Sequence, residues 1–219
     1  MQIQLDGNPD FGRASLVLGS HEVVRTESGA MSFADPGLDL RVVVPGGLLG
    51  GLARRLLGGE SFFLGEYQGP RGGRLGIAPS LPGEVIHRTL RGETLRLTAG
   101  SFLACSEGIA TRTRFGGLRS LFSGEGAFLI EVSGEGELLF NAYGAIVERE
   151  LDGELIVDTG HLVAFEESIE YEISGFGGLK STLFSGEGLT MRMRGRGRVW
   201  LQTRTVRGTA GWVTPYLRG

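Results

Sequence analysis

The sequence is poor in the features that mark secreted and membrane-spanning proteins. It has one cysteine, Cys105, so no disulfide can form within the chain. The N-terminal Met1–Asp6 has neither the basic start nor the apolar core of a secretion signal. The longest charge-free apolar stretch, Val42–Ala53, is too short and too rich in glycine for a membrane-spanning helix, which needs about 20 residues. We therefore expect a soluble protein of the cytoplasm.

The chain also lacks an excess of charge of either sign. It carries 22 basic and 25 acidic residues among 219, a formal net charge of −3 at pH 7. So small a net charge does not attract nucleic acid or an anionic membrane to the molecule as a whole, and any such binding must be local. The length is sufficient for a substantial core, and we expect a single domain over residues 1–219.

Glycine is what the sequence has in abundance, with 39 residues and no triplet period of the collagen kind. Between glycine-rich turns lie short runs of alternating or β-branched residues, and no window longer than about ten residues has a helical stripe. The pattern predicts an all-β fold, with isolated helical turns at most, near Arg119–Leu121, Ser181 and Leu52–Leu57. The predicted strands include Leu16–Leu18, Leu40–Val44, Thr94–Leu97, Phe128–Val132, Leu138–Phe140, Leu155–Val157 and Arg198–Gln202.

One glycine-containing segment occurs more than once. Gly116–Gly126 returns as Gly177–Gly188, and Gly46–Glu60 is a looser first copy. Self-similarity at a period of about 60 residues indicates one repeated structural unit, so the shared residues are better explained by architecture than by chemistry. We divide the domain into three repeats, about 10–79, 80–144 and 145–205, followed by a short C-terminal tail.

The copies align beyond this segment. Leu95–Ala104 matches Leu155–Ala164, with Leu16–Val24 as a shortened version, and each is predicted to form a strand, a tight turn and a strand. Each repeat is then predicted to contain a second hairpin. Three hairpin-rich units, each with one apolar face, predict a pseudo-threefold β-sandwich or barrel. The second hairpins are expected at Tyr67–Pro70, Ser133–Gly136 and Arg194–Gly197.

Four segments carry a resemblance to a known family: Arg55–Phe63, Gly144–Glu148, Val157–Glu166 and Val199–Arg204. They resemble the altered inheritance of mitochondria family AIM24, and the match spans nearly the whole chain. The resemblance implies an all-β fold of double-stranded β-helix character, grouped with the tryptophan RNA-binding attenuator protein. It also implies a mitochondrial relative linked to inner-membrane organisation and bacterial members without an assigned activity. It implies no set of catalytic residues.

Two motifs resemble enzyme signatures. Asp158-Thr159-Gly160 spells the aspartic-protease triplet, which needs a second carboxylate. Because the equivalent residues of the second repeat are Thr98-Ala99-Gly100, a hairpin turn explains the triplet better, and a hydrolase using Asp158 is kept as a minor alternative. Gly175–Thr182 resembles a phosphate-binding loop, but Leu179 precedes the lysine where glycine is required. We expect no enzymatic activity.

No metal or cofactor site is predicted. His21, His87 and His161 are too scattered for ligand spacing, although the alignment places His21 and His161 equivalently, with Ser101 in the remaining repeat. Cys105 has no basic neighbour to favour its thiolate. The recurring Glu60, Glu125 and Glu187 could form a ring of carboxylates, but between glycines they are more typical of solvated turns.

The most specific asymmetry is one of charge. When the second hairpins are superposed on their glycines, acidic residues of the second repeat take the places of arginines in the third. Opposite faces of this kind could join units within a chain or between subunits, or remain two separate solvated faces. The residues are Glu131, Glu135 and Glu137 against Arg192, Arg196 and Arg198, with Arg194 beside them.

Two other surfaces stay open as alternatives. The same arginines, with Trp200, Arg204 and Arg207, could form a groove for RNA or another anionic ligand, with bases stacking on the indole. The apolar Val42–Leu57, which contains Arg54 and Arg55 near its end, could touch a membrane surface, although burial of a strand Val42–Val44 explains it at least as well.

The sequence thus predicts a non-catalytic β-structured scaffold or binding module with a link to membrane organisation. We expect an unidentified protein as its partner, with self-association as a second arrangement, peripheral membrane contact as a third, and RNA or anionic-ligand binding through the basic third repeat as the alternative function.

Overall fold

The computed structural model describes residues 1–43, 63–115, 128–175 and 189–217. The regular secondary structure of these residues is nearly all β-strand, with two short 3₁₀ turns and one helix. The 3₁₀ turns are Ala99–Ser101 and Thr159–His161, and helix α1 is Val206–Leu217. The strands are β1 Gln2–Asp6, β2 Arg13–Leu18, β3 Val24–Glu27, β4 Met31–Ala34, β5 Asp39–Val43, β6 Leu64–Gln68, β7 Gly73–Ile77, β8 Val85–Thr98, β9 Phe102–Ser106, β10 Ile109–Phe115, β11 Phe128–Asn141, β12 Ile146–Asp158, β13 Leu162–Glu166, β14 Glu170–Gly175 and β15 Leu189–Gln202.

The strands form two antiparallel sheets. The smaller has the order β1-β2-β7-β4, and the larger follows β12-β15-β13-β8-β11-β9-β3-β6-β5, with β10 beside β11 and β14 beside β15. Along β2, buried Ala14, Leu16 and Leu18 alternate with more exposed residues, as expected for a strand with one face on the core. The all-β fold predicted from the sequence is confirmed.

Two stretches of the chain follow the same order of elements. β8, a 3₁₀ turn, β9, β10 and β11 are succeeded by β12, a 3₁₀ turn, β13, β14 and β15. The first and last strands of each stretch pair along their length, β8 with β11 and β12 with β15. The short strand after each turn pairs with its long last strand and skips one residue, Leu103 in β9 and Val163 in β13.

The sequence alignment placed a shortened copy of this strand, turn and strand at Leu16–Val24, and the structure does not show it there. Leu16–Val24 contains the end of β2, a turn and the first residue of β3, rather than a strand, tight turn and strand. A skip of the same kind occurs after the next turn, where β4 pairs with β7 and skips Ser32. The apolar pattern of Leu16–Val24 was compatible with either register, and only the strand pairing distinguishes them.

All three predicted second hairpins are wrong. Ser133–Gly136 and Arg194–Gly197 lie inside the continuous strands β11 and β15. Tyr67–Pro70 leads from β6 of the larger sheet to β7 of the smaller one, and these two strands do not pair with each other. The glycines within β11 and β15 do not reverse the chain, and their lack of a side chain lets a neighbouring turn approach the strand backbone closely. A Cβ on Gly134 would lie 2.3 Å from the backbone oxygen of Gly108, in the turn between β9 and β10.

The remaining local predictions have mixed outcomes. All seven predicted strand segments lie within strands, except that Val44 falls outside the described residues. The expected burial of Val42–Val44 is wrong for Val42, which is 70% exposed on β5, the last strand of the larger sheet. Helix α1 was not predicted. The glycine-rich copies, their helical turns, most of the phosphate-loop-like segment, and Glu60, Glu125 and Glu187 lie outside the described residues.

Candidate interaction surface

The four arginines singled out in the sequence lie along β15. β12 pairs with one edge of β15 along its length, whereas β14 pairs with the other edge only as far as Arg194, and β13 pairs with that edge at Val199–Leu201. Acidic residues of both neighbours stand opposite the arginines in the register: Glu150 opposite Arg198, Asp152 opposite Arg196, Glu154 and Glu170 opposite Arg194, and Glu172 opposite Arg192. We call β12, β14 and β15 with these side chains the mixed-charge face.

Glu154 is the centre of the best-formed ion pairs on this face. One carboxylate oxygen accepts from Nη1 of Arg192 at 2.9 Å and the other from Nε of Arg194 at 2.8 Å. The hydrogen bond from Arg194, with the charge of both guanidiniums, lowers the pKa of Glu154 below its usual value. Because all three side chains are exposed to solvent, these pairs orient the groups more than they stabilise the fold.

Arg198 is held by two glutamates from different strands. Its Nε donates to Glu166 of β13 at 2.9 Å, and its Nη1 lies 3.7 Å from a carboxylate oxygen of Glu148 on β12. The hydrogen bond to Glu166 is the main reason that the pKa of Arg198 is raised. Arg198 therefore links two strands of the larger sheet through its side chain.

Trp200 belongs to the core and not to the exposed groove considered from the sequence. It is 1% exposed, its ring stands edge-on to Phe140 at a centroid distance of 6.0 Å, and its Nε1 donates to Glu148 at 2.8 Å. The guanidinium of Arg88 lies 4.9 Å from the ring centroid. The suggestion that a base stacks on Trp200 fails because no face of the indole is open to a ligand.

The three acidic residues of the second repeat lie on β11 and face β8. Glu131 is buried, with Nε of Arg96 3.7 Å from its carboxylate. Glu137 contacts the imidazole of His87 and accepts from Thr89, and Glu135 stands opposite Arg91 in the register.

Within the described chain, the recorded ion pairs of the third-repeat arginines are to Glu148, Glu154 and Glu166. The two sets of charges singled out from the sequence thus each have partners on adjacent strands. The signal for these partners was present in the alternating acidic residues of β12, but their pairing depends on the register.

A shallow cleft of about 420 Å³ opens beside the mixed-charge face. It is lined by groups of both signs and one phenol: Arg96, Glu170, Tyr171, Glu172, Arg192 and Arg194. Arg96 reaches it from β8, so the cleft lies between β8 and the strands β14 and β15. With three cations and two anions around it, the cleft suits a polar group more than an extended polyanion.

The residues of the enzyme-like motifs have structural roles where the structure describes them. Asp158 caps the second 3₁₀ turn by accepting from the backbone N–H of Gly160 at 2.8 Å, which confirms a turn at the triplet. The turn is not a hairpin, because β12 and β13 pair with β15 and not with each other. Burial raises the pKa of the Cys105 thiol to about 12, so the thiolate is not populated at neutral pH.

The three histidines lie apart in the structure. His161 contacts the backbone oxygen of Gln202 through Nδ1 at 2.7 Å, and His87 contacts Glu137. His161 and Ser101 end the two 3₁₀ turns, but His21 lies in the turn between β2 and β3, so its expected equivalence is wrong. The described ranges contain no cluster of three or more histidine, cysteine or acidic side chains that could hold a metal ion.

Sequence reasoning missed one titratable group, Glu27 at the end of β3. Burial raises the pKa of its carboxyl from a usual 4.5 to about 7. It also missed the exposed aromatic residues Trp212 and Tyr216 of α1, whose ring centroids are 5.9 Å apart. No helix in the described part of the chain is long and apolar enough to span a membrane.

The fold and this surface define a sheet-rich, nearly all-β protein with a mixed-charge strand face. Residues 3–204 match the family described as mitochondrial biogenesis AIM24, and the chain belongs to that family. The resemblance noted in the sequence is confirmed by this match.

Two streptococcal proteins are similar over almost the whole chain. An uncharacterized protein from Streptococcus pyogenes serotype M6 is 29% identical over 229 residues, which cover 99% of this chain and 91% of that protein. The crystal structure of a Streptococcus pyogenes protein superposes with a TM-score of 0.84 at 26% identity, covering 99% of both chains. The described architecture is therefore close to one observed by crystallography.

Proposed function

We propose that this protein is a non-catalytic scaffold or binding module that recognises another protein through the mixed-charge face. The observation that carries the proposal is that each arginine of β15 has an acidic residue opposite it in the register: on β12 for Arg194, Arg196 and Arg198, and on β14 for Arg192 and Arg194. A rigid sheet that presents both signs of charge at fixed spacing suits a partner with complementary charges, because electrostatic complementarity gives specificity and orientation.

The same placement weighs against the alternative, RNA or anionic-ligand binding. Glu150, Asp152, Glu154, Glu170 and Glu172 stand opposite the four arginines, so the local charge is not positive. Binding to a phosphate backbone depends on an excess of cations that replaces counterions. The burial of Trp200 removes the aromatic platform as well.

We also propose that the chain consists of three copies of one structural unit, as the sequence repeats predict. Support comes from the shared skip in the short strands β4, β9 and β13, and from the ladders between neighbouring copies. β9 pairs with β3 of the preceding copy, and β13 pairs with β8 of the preceding copy. Pseudo-threefold closure would need a third ladder, between β4 and β12.

A link to membrane organisation is the less specific part of the proposal. Leu40 and Val42 of β5 are exposed apolar residues, and Val42 is the first residue of the apolar segment Val42–Leu57 noted in the sequence. An exposed apolar strand at the end of a sheet supports contact with a lipid surface or with a membrane protein.

The first test is affinity purification of the tagged full chain at moderate salt, with an Arg194→Glu variant and a matched control. Arg13→Glu is the control, because the side chains of Arg194 and Arg13 are 51% and 54% exposed and each is ion-paired. We expect a reproducible protein partner that is retained by Arg13→Glu and lost or weakened at least tenfold by Arg194→Glu, as expected when repulsion replaces a desolvated charge contact.

Partner binding that Arg194→Glu leaves unchanged would place the interaction elsewhere. Co-purification of RNA that is released at high salt would favour the alternative function, since release with salt is the signature of phosphate contacts.

A further inference from the structure

Two contacts inside the chain share one geometry. In the first, Ala104, Cys105 and Ser106 of β9 pair antiparallel with Thr26, Arg25 and Val24 of β3. In the second, Ala164, Phe165 and Glu166 of β13 pair with Leu97, Arg96 and Leu95 of β8. In both contacts the docking strand, β9 or β13, follows a tight turn. The strand that receives it, β3 or β8, belongs to the preceding copy and comes just before the tight turn of that copy.

An arginine has the same place in both contacts. Arg25 donates through Nη1 to the backbone oxygen of Glu107 at 3.5 Å, and Arg96 donates to the backbone oxygen of Glu167 at 3.4 Å. Each arginine also lies beside a glutamate of the strand on its other side, Glu66 of β6 for Arg25 and Glu131 of β11 for Arg96. The two contacts are therefore equivalent in register and in the surroundings of this arginine.

Two strands, β4 and β12, lack a contact of this kind in the described part of the chain. β4 takes the place of β9 and β13, yet among the described residues it pairs only with β7 and ends the smaller sheet. Leu155–Val157 of β12 takes the place of Val24–Thr26 and Leu95–Leu97, yet within the same ranges β12 pairs only with β15 and ends the larger sheet.

The exposure of these two edges differs from that of their equivalents. Phe33 is 41% exposed, whereas Ala104 and Ala164 at the same position are buried. Ile156, at the position of Arg25 and Arg96, is 44% exposed. Exposed apolar residues on an unpaired strand edge favour pairing with another chain, and protein edges are otherwise protected against it.

We propose that β4 of one molecule docks on Leu155–Val157 of a second copy of this chain, in the register of the two inner contacts. Phe33 then stands opposite Val157, and Ala34 opposite Ile156. Because the donating and receiving edges differ, the contact is head-to-tail and each molecule can engage two neighbours. This inference rests on the three-copy arrangement proposed above and not on the identity of any other partner.

The chemistry of the two edges fits this occupant. Ile156 replaces the arginine of the inner contacts, and Met31 and Phe33 on the donating strand are apolar, so the contact buries apolar surface. The register sets Asp35 opposite Leu155, and Asp35 has Arg74 of its own molecule as its ion-pair partner. Pro36 follows β4 at the position of Glu167, whose N–H donates to the oxygen of Thr94 at 3.2 Å. The contact between two molecules therefore has one backbone hydrogen bond fewer than the contact between β13 and β8.

The test uses purified full-length protein alone, with sedimentation velocity over a concentration series. We expect the wild type to assemble beyond the monomer, and Ile156→Glu and Phe33→Glu each to sediment as a monomer with an unchanged far-ultraviolet circular dichroism spectrum. Val147→Glu is the matched control, since Val147 lies on β12 at the same 44% exposure but outside the docking residues, and it should assemble as the wild type does.

Mixing the two monomeric variants separates head-to-tail docking from any symmetric dimer. Ile156→Glu keeps an intact β4, and Phe33→Glu keeps an intact Leu155–Val157, so an equimolar mixture should form a complex of two molecules and no larger one. A wild type that stays monomeric at every concentration would overturn the inference, as would assembly that survives Ile156→Glu or a mixture that forms no complex. None of these outcomes bears on whether the mixed-charge face binds another protein.

Discussion

At the scale of single residues, this protein uses its ionisable groups mainly to fix strand pairing. Glu154 and Glu166 hold arginines of β15, and Asp158 caps a turn. These roles follow from register, which places a residue of one strand opposite a given residue of the next. The sequence indicated which residues are charged and that they alternate, but not which pairs would meet, because a shift of one residue reverses the face on which each side chain lies.

Glu27 gives a prediction at this scale. Its folded-state pKa of about 7 exceeds the usual 4.5, so the folded protein holds the proton more tightly than the unfolded chain does. Its contribution to the free energy of unfolding is therefore full below pH 4.5 and is lost as the pH rises to 7. We expect Glu27→Gln to stabilise the protein at pH 8 by up to about 3 kcal/mol, the equivalent of the shift, and to have little effect at pH 4.

Urea unfolding at pH 4 and pH 8 measures this difference. Glu107→Gln, at a residue exposed in the turn after β9, serves as the control and should not change the pH dependence. An equal effect of Glu27→Gln at the two pH values would mean that the carboxyl ionises normally in the folded protein.

At the scale of elements, glycines determine how the long strands pass under neighbouring turns. The sequence suggested reversals at Gly134 and Gly195, since glycine-rich stretches are typical of hairpins. Their positive φ angles, 122° and 128°, instead let the strands continue while the turns before β10 and β14 approach the backbone. Glycine composition alone does not distinguish a turn from a close approach, because both need a residue without a Cβ.

Gly134 and Gly153 allow the backbone strain caused by a Cβ at positive φ to be separated from its steric clash with a neighbouring turn. Their φ angles are 122° and 121°, so alanine is strained equally at both positions. A Cβ at Gly153 meets nothing within 4 Å, whereas one at Gly134 lies 2.3 Å from the oxygen of Gly108. We expect Gly153→Ala to cost about 1–2 kcal/mol of unfolding free energy from the backbone alone, and Gly134→Ala at least about 2 kcal/mol more. Denaturant unfolding of both variants compares them, and equal losses would show that the Gly108 turn moves away freely.

At the scale of the whole molecule, neighbouring parts of the chain are joined by short ladders reinforced by an arginine. Arg96 of β8 reaches the backbone oxygens of Glu167 and Ile169 beyond β13, both at 3.4 Å. Phe165 lies under its guanidinium at 5.9 Å from the ring centroid. One side chain thus bonds the turn after β13 to β8 and covers an aromatic ring of the core.

Arg96→Ala tests how much this junction contributes. We expect a loss of about 2–3 kcal/mol in unfolding free energy, because two carbonyls lose a charged donor and Glu131 loses its nearby cation in a buried position. Arg91→Ala, at an exposed position on the same strand, should change stability by less than about 0.5 kcal/mol. Thermal unfolding of the two variants measures the difference, and similar stabilities would show that the ladder holds without the arginine.

The sequence by itself determined the all-β class, seven of the strand segments and the membership of the AIM24 family. These depend on local alternation, on glycine content and on motifs that are continuous along the chain. It did not determine that Leu16–Val24 ends one strand and begins another, nor that Trp200 is buried, nor that β4 and β12 lie at sheet edges. Those features depend on register and on contacts between residues far apart in the chain, which only the tertiary structure decides because many registers satisfy the same apolar pattern.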